Sequence, residues 1–430
     1  MPRSGCSRDI WHATGIGCRL PGKHPENTRK ITARIKTRDQ GQGPRPRTKT
    51  RIQKNLTKNR TAMQQLSSAP ITLDNGTARF SVTPLGGCLA SYQLSRPGGP
   101  LDLLRPMPQQ TSVAADHSAG TRPPEALPRD VQPSEVPLSE VKPEGPASFA
   151  LIPYSNRLRD GRLNFAGLQW QLPLNFGDHP HSIHGIGWQR LWQVAAQEET
   201  AQDDNSITLE LSHDPAHWRT PEESGWPFAF HASQTFTLTG ADLRHEVTLT
   251  NRSDRPMPAG LGLHPYFPTY DPTYEGAHEQ ADLQESDQGQ EGPHLQANVE
   301  AVWMTDATCL PTERIACPDH LHLRDGRTVA GLRCDNLFEP WDGQARITWP
   351  ALKLQLDLSA SADLDRLVVY APRNKGYFCV EPVSHITDAF NLSAAAPEKP
   401  AMPPKDSGMK ILAPGESWSV WMAFSPKELD

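Results

Sequence analysis

Apolar and polar residues alternate with a period of two in run after run of this chain, and no segment sustains the three-and-four spacing of an amphipathic helix. That pattern restricts the fold to sheets. The series opens at residue 70 with ITLDNG, ARFSVTP and CLASYQL; Asn75-Gly76 is a strong hairpin turn between the first two, and Gly86-Gly87 separates the second from the third. In ASFALIPYSNRLRDGRLNFAGLQWQLP the turn is Arg159-Asp160-Gly161-Arg162. SITLELS, FAFHASQTFTLTG and LRHEVTLTN follow, the last two joined at Gly240-Ala241-Asp242, then RITWPALKLQLDLS, RLVVYAP, GYFCVEP and SWSVWMAFS. The expectation is an all-β chain, a large antiparallel β-sandwich of two packed sheets, with one domain over residues 66–426. Stretches rich in proline or in polar and acidic residues, near 119–146, 271–298 and 393–408, are expected to be surface insertions.

Residues 1–62 read differently. They carry a net charge of +13, against −19 for the remainder, and no hydrophobic periodicity. Such a segment does not bury enough apolar surface to fold. Three readings stay open: an over-long start with initiation at Met63, a disordered basic arm, or an organelle-type presequence. The acidic body argues against nucleic acid as a partner, and no run of about 18 apolar residues suggests a membrane span. Seven scattered cysteines, an odd number without a C-x-x-C pair, favour a reducing, cytoplasmic setting over a disulfide scaffold.

Three stretches could carry chemistry. In AGLGLHPYFP, residues 259–268, Gly260 and Gly262 allow a close approach of the backbone and Pro265 is expected to end the strand. His264 should then lie at a strand end, facing outward beside aromatics. Glu381 is the one acid in the apolar run YFCVEPV, where a carboxylate needs either a salt bridge, to Arg157 or Arg373, or a task as a general base. His179, His181 and His184 cluster in GDHPHSIHG, but Pro180 breaks the strand spacing and no cysteine pair assists. A polar pocket rim, with His184 beside Gly185 pointing inward, is the better reading than a metal site. Arg157 beside Asn156 is either a surface charge or a ligand contact, and Asp335 is either a turn aspartate or a second contact. Trp188 and Trp341 could offer aromatic faces, although core packing suits both better.

PYSNRLRDGRLNFAG, HSIHGIGWQRLWQV, LGLHPYFP, VWMTD, CDNLFEPWDGQARITWP and YFCVEPVSHITDAFN occur in an order that resembles the aldose 1-epimerase (galactose mutarotase) family across nearly all of residues 70–425. The resemblance implies a β-supersandwich, an isomerase that needs no cofactor, and a cleft for one monosaccharide. It implies His264 as general acid, Glu381 as general base, His184 as a second imidazole near the ring oxygen, and Arg157, Asn156 and Asp335 as contacts to sugar hydroxyls. No metal ligand is implied, and the chain is expected to act as a monomer or homodimer.

Interconverting anomers requires a proton taken from the anomeric hydroxyl and one delivered to the ring oxygen. A carboxylate and an imidazolium on either side of that bond pair do both. The two groups would then be poised oppositely, Glu381 ionised and His264 protonated, although burial would lower the affinity of His264 for its proton. A non-catalytic carbohydrate-binding protein, a phosphosugar mutarotase using Arg157, Arg159 and Arg162, and a glycosidase pairing Glu381 with Asp335 are the competing readings.

Overall fold

In a computed structural model the described residues are 70–108, 145–195, 205–218, 220–270, 292–373, 375–394 and 401–430. The basic first 62 residues, the proline-rich stretch as far as 144, residues 271–291 and residues 395–400 lie outside them. All the strands among the described residues fall in the compact unit Thr57–Asp430.

The alternating runs become strands that join into two long antiparallel series. One runs from Ile71–Asp74 through Ala78–Thr83, Cys88–Leu94, Ser148–Leu151, Gly262–Pro268 and Tyr377–Val383 to Arg366–Tyr370. The other runs from Ser206–His213 through Phe230–Thr239, Asp242–Asn251 and Ser417–Glu428 to Leu354–Ala360. The 15-residue strand Asp335–Trp349 feeds both: Asp335–Phe338 pairs with the first series and Gln344–Trp349 with the second. Hydrogen bonding is therefore continuous at this corner.

Side chains alternate across each strand, so one face of each series points into the space between them. Phe80 meets Phe236 with ring centroids 6.2 Å apart, Tyr92 meets Phe424 at 5.9 Å and Phe267 meets Phe424 at 6.1 Å, which places the core between the two sheets. Trp188 and Trp341 are buried, at 1% and 3% exposed, so neither presents an open aromatic face. Helices among the described residues are single turns of four or five residues, and none is long and apolar enough to cross a membrane.

Three expectations need correction. The polar stretch near 271–298 does not stay a loop to its end: His294–Thr305 is a strand, because Leu295, Ala297 and Val299 are buried on one face while Gln296, Asn298 and Glu300 point outward. The stretch near 393–408 ends in the helical turn Pro404–Ser407, whose Ser407 is fully buried. Pro265 does not stop its strand. Gly262–Pro268 runs through it, because Pro265 occupies the last register pair with Ser148 on the neighbouring strand, where a missing N–H costs little of the ladder. His264 consequently sits mid-strand and buried, not at an exposed strand end.

Candidate active site

Register builds this site. Gly262 pairs with Val383 and Tyr266 with Cys379, which sets His264 directly opposite Glu381, while His264 also faces Phe149 on its other side. Continuing outward, Glu381 pairs with Val368, Cys379 with Tyr370, and Tyr370 with Asp335. Cross-strand partners share a face, so Phe149, His264 and Glu381 form one row and Tyr266, Cys379, Tyr370 and Asp335 the next. The intervening residues Phe267 and Phe378 turn to the opposite, core-facing side and pack on each other.

The His264 ring is held between two others: Phe149 stacks on it at 4.8 Å and Tyr266 at 4.6 Å. Its Nε2 lies 3.3 Å from Glu381 Oε1. Among the described residues the Glu381 carboxyl pairs with His264, not with Arg157 or Arg373. Burial, reinforced by Asp335 and opposed by Arg157, pushes that carboxyl well above its usual range. Burial, with Arg105 and Arg157 adding to it, pulls His264 down to about 3. Both shifts favour the proton on the carboxyl and a neutral imidazole, the reverse of an ionised Glu381 beside a protonated His264.

Above this row lies the segment Tyr154–Arg162, held by the three histidines of the GDHPHSIHG stretch. The Asn156 N–H donates to His184 Nδ1 at 3.1 Å, Arg157 Nε to His179 Nε2 at 3.4 Å, and the Asp160 N–H to His181 Nδ1 at 3.0 Å. Each histidine is committed to a different donor, which explains the cluster without a metal. Because His184 Nδ1 accepts, its ring proton is on Nε2, and that N–H is a donor. Burial, then the nearby His264, Arg157 and His179, keeps His184 well below its usual pKa. Its ring meets His264 edge-on at 5.1 Å.

Arg157 Nη2 pairs with Asp335 Oδ2 at 3.2 Å and Nη1 donates to Asn156 Oδ1 at 3.0 Å. All six residues expected at the site, His264, Glu381, His184, Arg157, Asn156 and Asp335, are thus linked by direct contacts. His184 (φ 60°) and Asn156 (φ 55°) both hold left-handed backbone, the former followed by Gly185 at φ 67°. A Cβ on Gly185 would stand 2.0 Å from the Ile152 carbonyl oxygen. Gly185→Ala should therefore cost more than the roughly 1–2 kcal/mol of a left-handed conformation alone. A thermal scan unchanged within error would contradict this packing.

Some of what supports the site has no advance signal in the sequence. Phe149 enters only through pairing with a strand more than a hundred residues away. Arg105 lies over the rings of both Tyr266 (4.1 Å) and Tyr377 (4.3 Å). His385 Nε2 accepts from the Ser155 N–H at 2.9 Å, its Nδ1–H donates to the Ile386 carbonyl at 2.7 Å, and Asp388 Oδ1 accepts from the Arg159 N–H at 3.0 Å. Gly260 is glycine for the same reason: a Cβ there would sit 2.0 Å from His385 Cδ2, so the close approach is to this ring.

His385, with its pKa lowered to about 4 by burial, accepts from Ser155 only while unprotonated. A depressed histidine contributes stability that is complete above about pH 6.5 and lost as pH falls through the folded value. From pH 7.5 to 5 the wild type should lose about 2 kcal/mol more than His385→Gln. Parallel losses in denaturant titrations of the two proteins would show that this ring is not held neutral.

Comparison with known proteins agrees with this architecture. A family model described as aldose 1-epimerase matches residues 135–425. The uncharacterised protein YphB of Escherichia coli K12 is 28% identical over 284 residues, covering 64% of this chain and 82% of that protein. Among solved structures, a putative aldose 1-epimerase from E. coli K12 superposes with a TM-score of 0.61 at 22% identity, covering 84% of this chain and 99% of that one. A galactose mutarotase-like protein from Clostridium acetobutylicum gives 0.62 at 19% identity, with coverages of 84% and 95%.

Proposed function

This chain belongs to the aldose 1-epimerase family, and from that premise we propose that it is a mutarotase: an isomerase that interconverts the α and β anomers of a free aldohexose. The observation that carries the reading is the 3.3 Å contact between His264 Nε2 and Glu381 Oε1 beneath the Arg157–Asp335 pair. One proton-holding group and one proton-accepting group, side by side, are what hemiacetal opening requires.

In this reading Glu381 is the general base and His264 the general acid. A proton favoured on Glu381 by its burial first crosses to His264 Nε2. The carboxylate then takes the anomeric O–H proton as the C1–O5 bond breaks, and imidazolium His264 gives its proton to O5. Rotation about C1–C2 by about half a turn presents the other face of the aldehyde, and closure reverses both transfers. His184 Nε2–H donates to the ring oxygen, while Arg157, Asn156 and Asp335 hold sugar hydroxyls so that only the anomeric end turns. Every transfer is between oxygen and nitrogen of these side chains and the sugar, so the step balances without a cofactor. A cytoplasmic setting fits this reading, given five free cysteines among the described residues.

Arg105, stacked on two tyrosines beside His264, favours one second reading, an aldose carrying a phosphate. A mutarotation panel of free and 6-phosphorylated aldoses tests both. The proposal expects the larger kcat/KM for a free hexose; a preference of more than tenfold for the phosphorylated sugar would transfer the assignment to the second reading.

A further inference from the structure

The Cys379 thiol has no part in the acid–base chemistry, yet it stands among the groups that do. Cys379 and Glu381 are two apart on one strand and share a face. A nitrogen of His264, the sulfur of Cys379 and a carboxylate oxygen of Glu381 all lie within 4.8 Å of one another. The three residues are 6%, 0% and 2% exposed. Glu381 Oε2 accepts no hydrogen bond among the described residues. A buried carboxyl oxygen without a donor, close to a thiol and an imidazole, has lone pairs available to a ligand.

We infer that His264, Cys379 and Glu381 form a binding site for a borderline-soft divalent cation of the Zn2+ type, and that its occupation switches the proton-transferring pair off. One imidazole, one thiolate and one carboxylate are a mixed N, S, O donor set that suits Zn2+, whereas Mg2+ and Ca2+ require six or more oxygens. Bonds of about 2.0–2.3 Å around a tetrahedral ion separate ligand atoms by roughly 3.3–3.8 Å. Side-chain shifts of about 1 Å would bring the 4.8 Å cluster to that size, with water as the fourth ligand. The exchange is non-redox: the thiol and the carboxyl release their protons to solvent, and their lone pairs, with that of the imidazole, pass to the ion. With the imidazole and one carboxylate oxygen bound to a dication, both groups lose the proton affinity that the transfer between them needs. Binding stands on the cluster itself; the inhibition alone rests on the mutarotase reading.

Cd2+ reports on such a site directly, through thiolate-to-metal charge-transfer absorption. The full-length reduced protein should develop that band with one equivalent of Cd2+, and Zn2+ should displace it. Cys379→Ser should abolish the band and weaken Zn2+ inhibition by more than the roughly tenfold that losing even an outer-sphere partner costs, while metal-free mutarotation stays within about twofold of wild type, since the residue makes no proton transfer. Cys379→Ala serves where the serine variant fails to fold. A wild-type protein without the band, or a band that persists in a Cys379 variant because Cd2+ sits on Cys309 or Cys317, overturns the assignment. Metal-free protein that binds Cd2+ in this way but has no mutarotase activity overturns the catalytic reading and leaves the binding site standing.

Discussion

Glu381→Gln should lower kcat/KM for mutarotation by about 10²–10⁴-fold, the usual contribution of a positioned acid–base group. The amide matches the carboxyl in shape, so the stacked rings around His264 have no reason to move. The fold should not suffer either. Burial holds the Glu381 pKa well above its usual value, and a raised carboxyl contributes stability that is complete below about pH 4.3 and lost as pH rises through the folded pKa. That contribution declines above about pH 4.3 in the wild type but not in the amide, so at pH 7.5 the glutamine variant should melt at the same temperature or higher. Retention of activity within tenfold, in a variant with an unchanged melting curve, removes Glu381 from the reaction.

His264→Asn should cost a similar 10²–10⁴-fold in kcat/KM, with a different structural signature. Its ring fills the space between Phe149 and Tyr266, and the shorter asparagine leaves part of that stack empty. Some loss of melting temperature at pH 7.5 is expected from the lost ring contacts. Because His264 is neutral in the fold, with its pKa pulled down to about 3, the wild type loses stability as pH falls below about 6.5, a loss the variant lacks. The two melting curves should converge on acidification. The double variant with Glu381→Gln should be little worse than either single one, since groups that act as a unit are not additive. Multiplied losses in the double variant would mean that the two residues act independently, against a shared proton.

The sheet architecture was legible because burial on one face imposes a period of two that any reader of the chain can see: the hairpin at Asn75-Gly76 and the turn at Arg159–Gly161 stand where the alternation and turn chemistry place them. Glu381 was legible because an acid among buried apolar residues conflicts with its surroundings. Pro265 misled, since local backbone preference cannot show that the strand meets its neighbour at the one position where a proline is harmless. The stacking partner Phe149 and the cross-strand alignment of His264 with Glu381 are properties of register between distant strands, and one chain read alone does not contain them. The direction of the two pKa shifts was equally out of reach, because it depends on how completely water is removed from the row. The histidine cluster near residue 180 illustrates the remaining gap: its spacing suggested a rim or a metal, while its role in the fold is to hold the Asn156–Asp160 segment by three separate hydrogen bonds.

The central claim, that this sandwich accelerates anomer exchange rather than only binding a sugar, is tested most directly by polarimetry of freshly dissolved α-D-glucose and α-D-galactose with catalytic amounts of the protein. A mutarotase gives a faster approach to the same final rotation, at a rate proportional to protein concentration and lost in Glu381→Gln. Saturable sugar binding with a rate no different from buffer would contradict it.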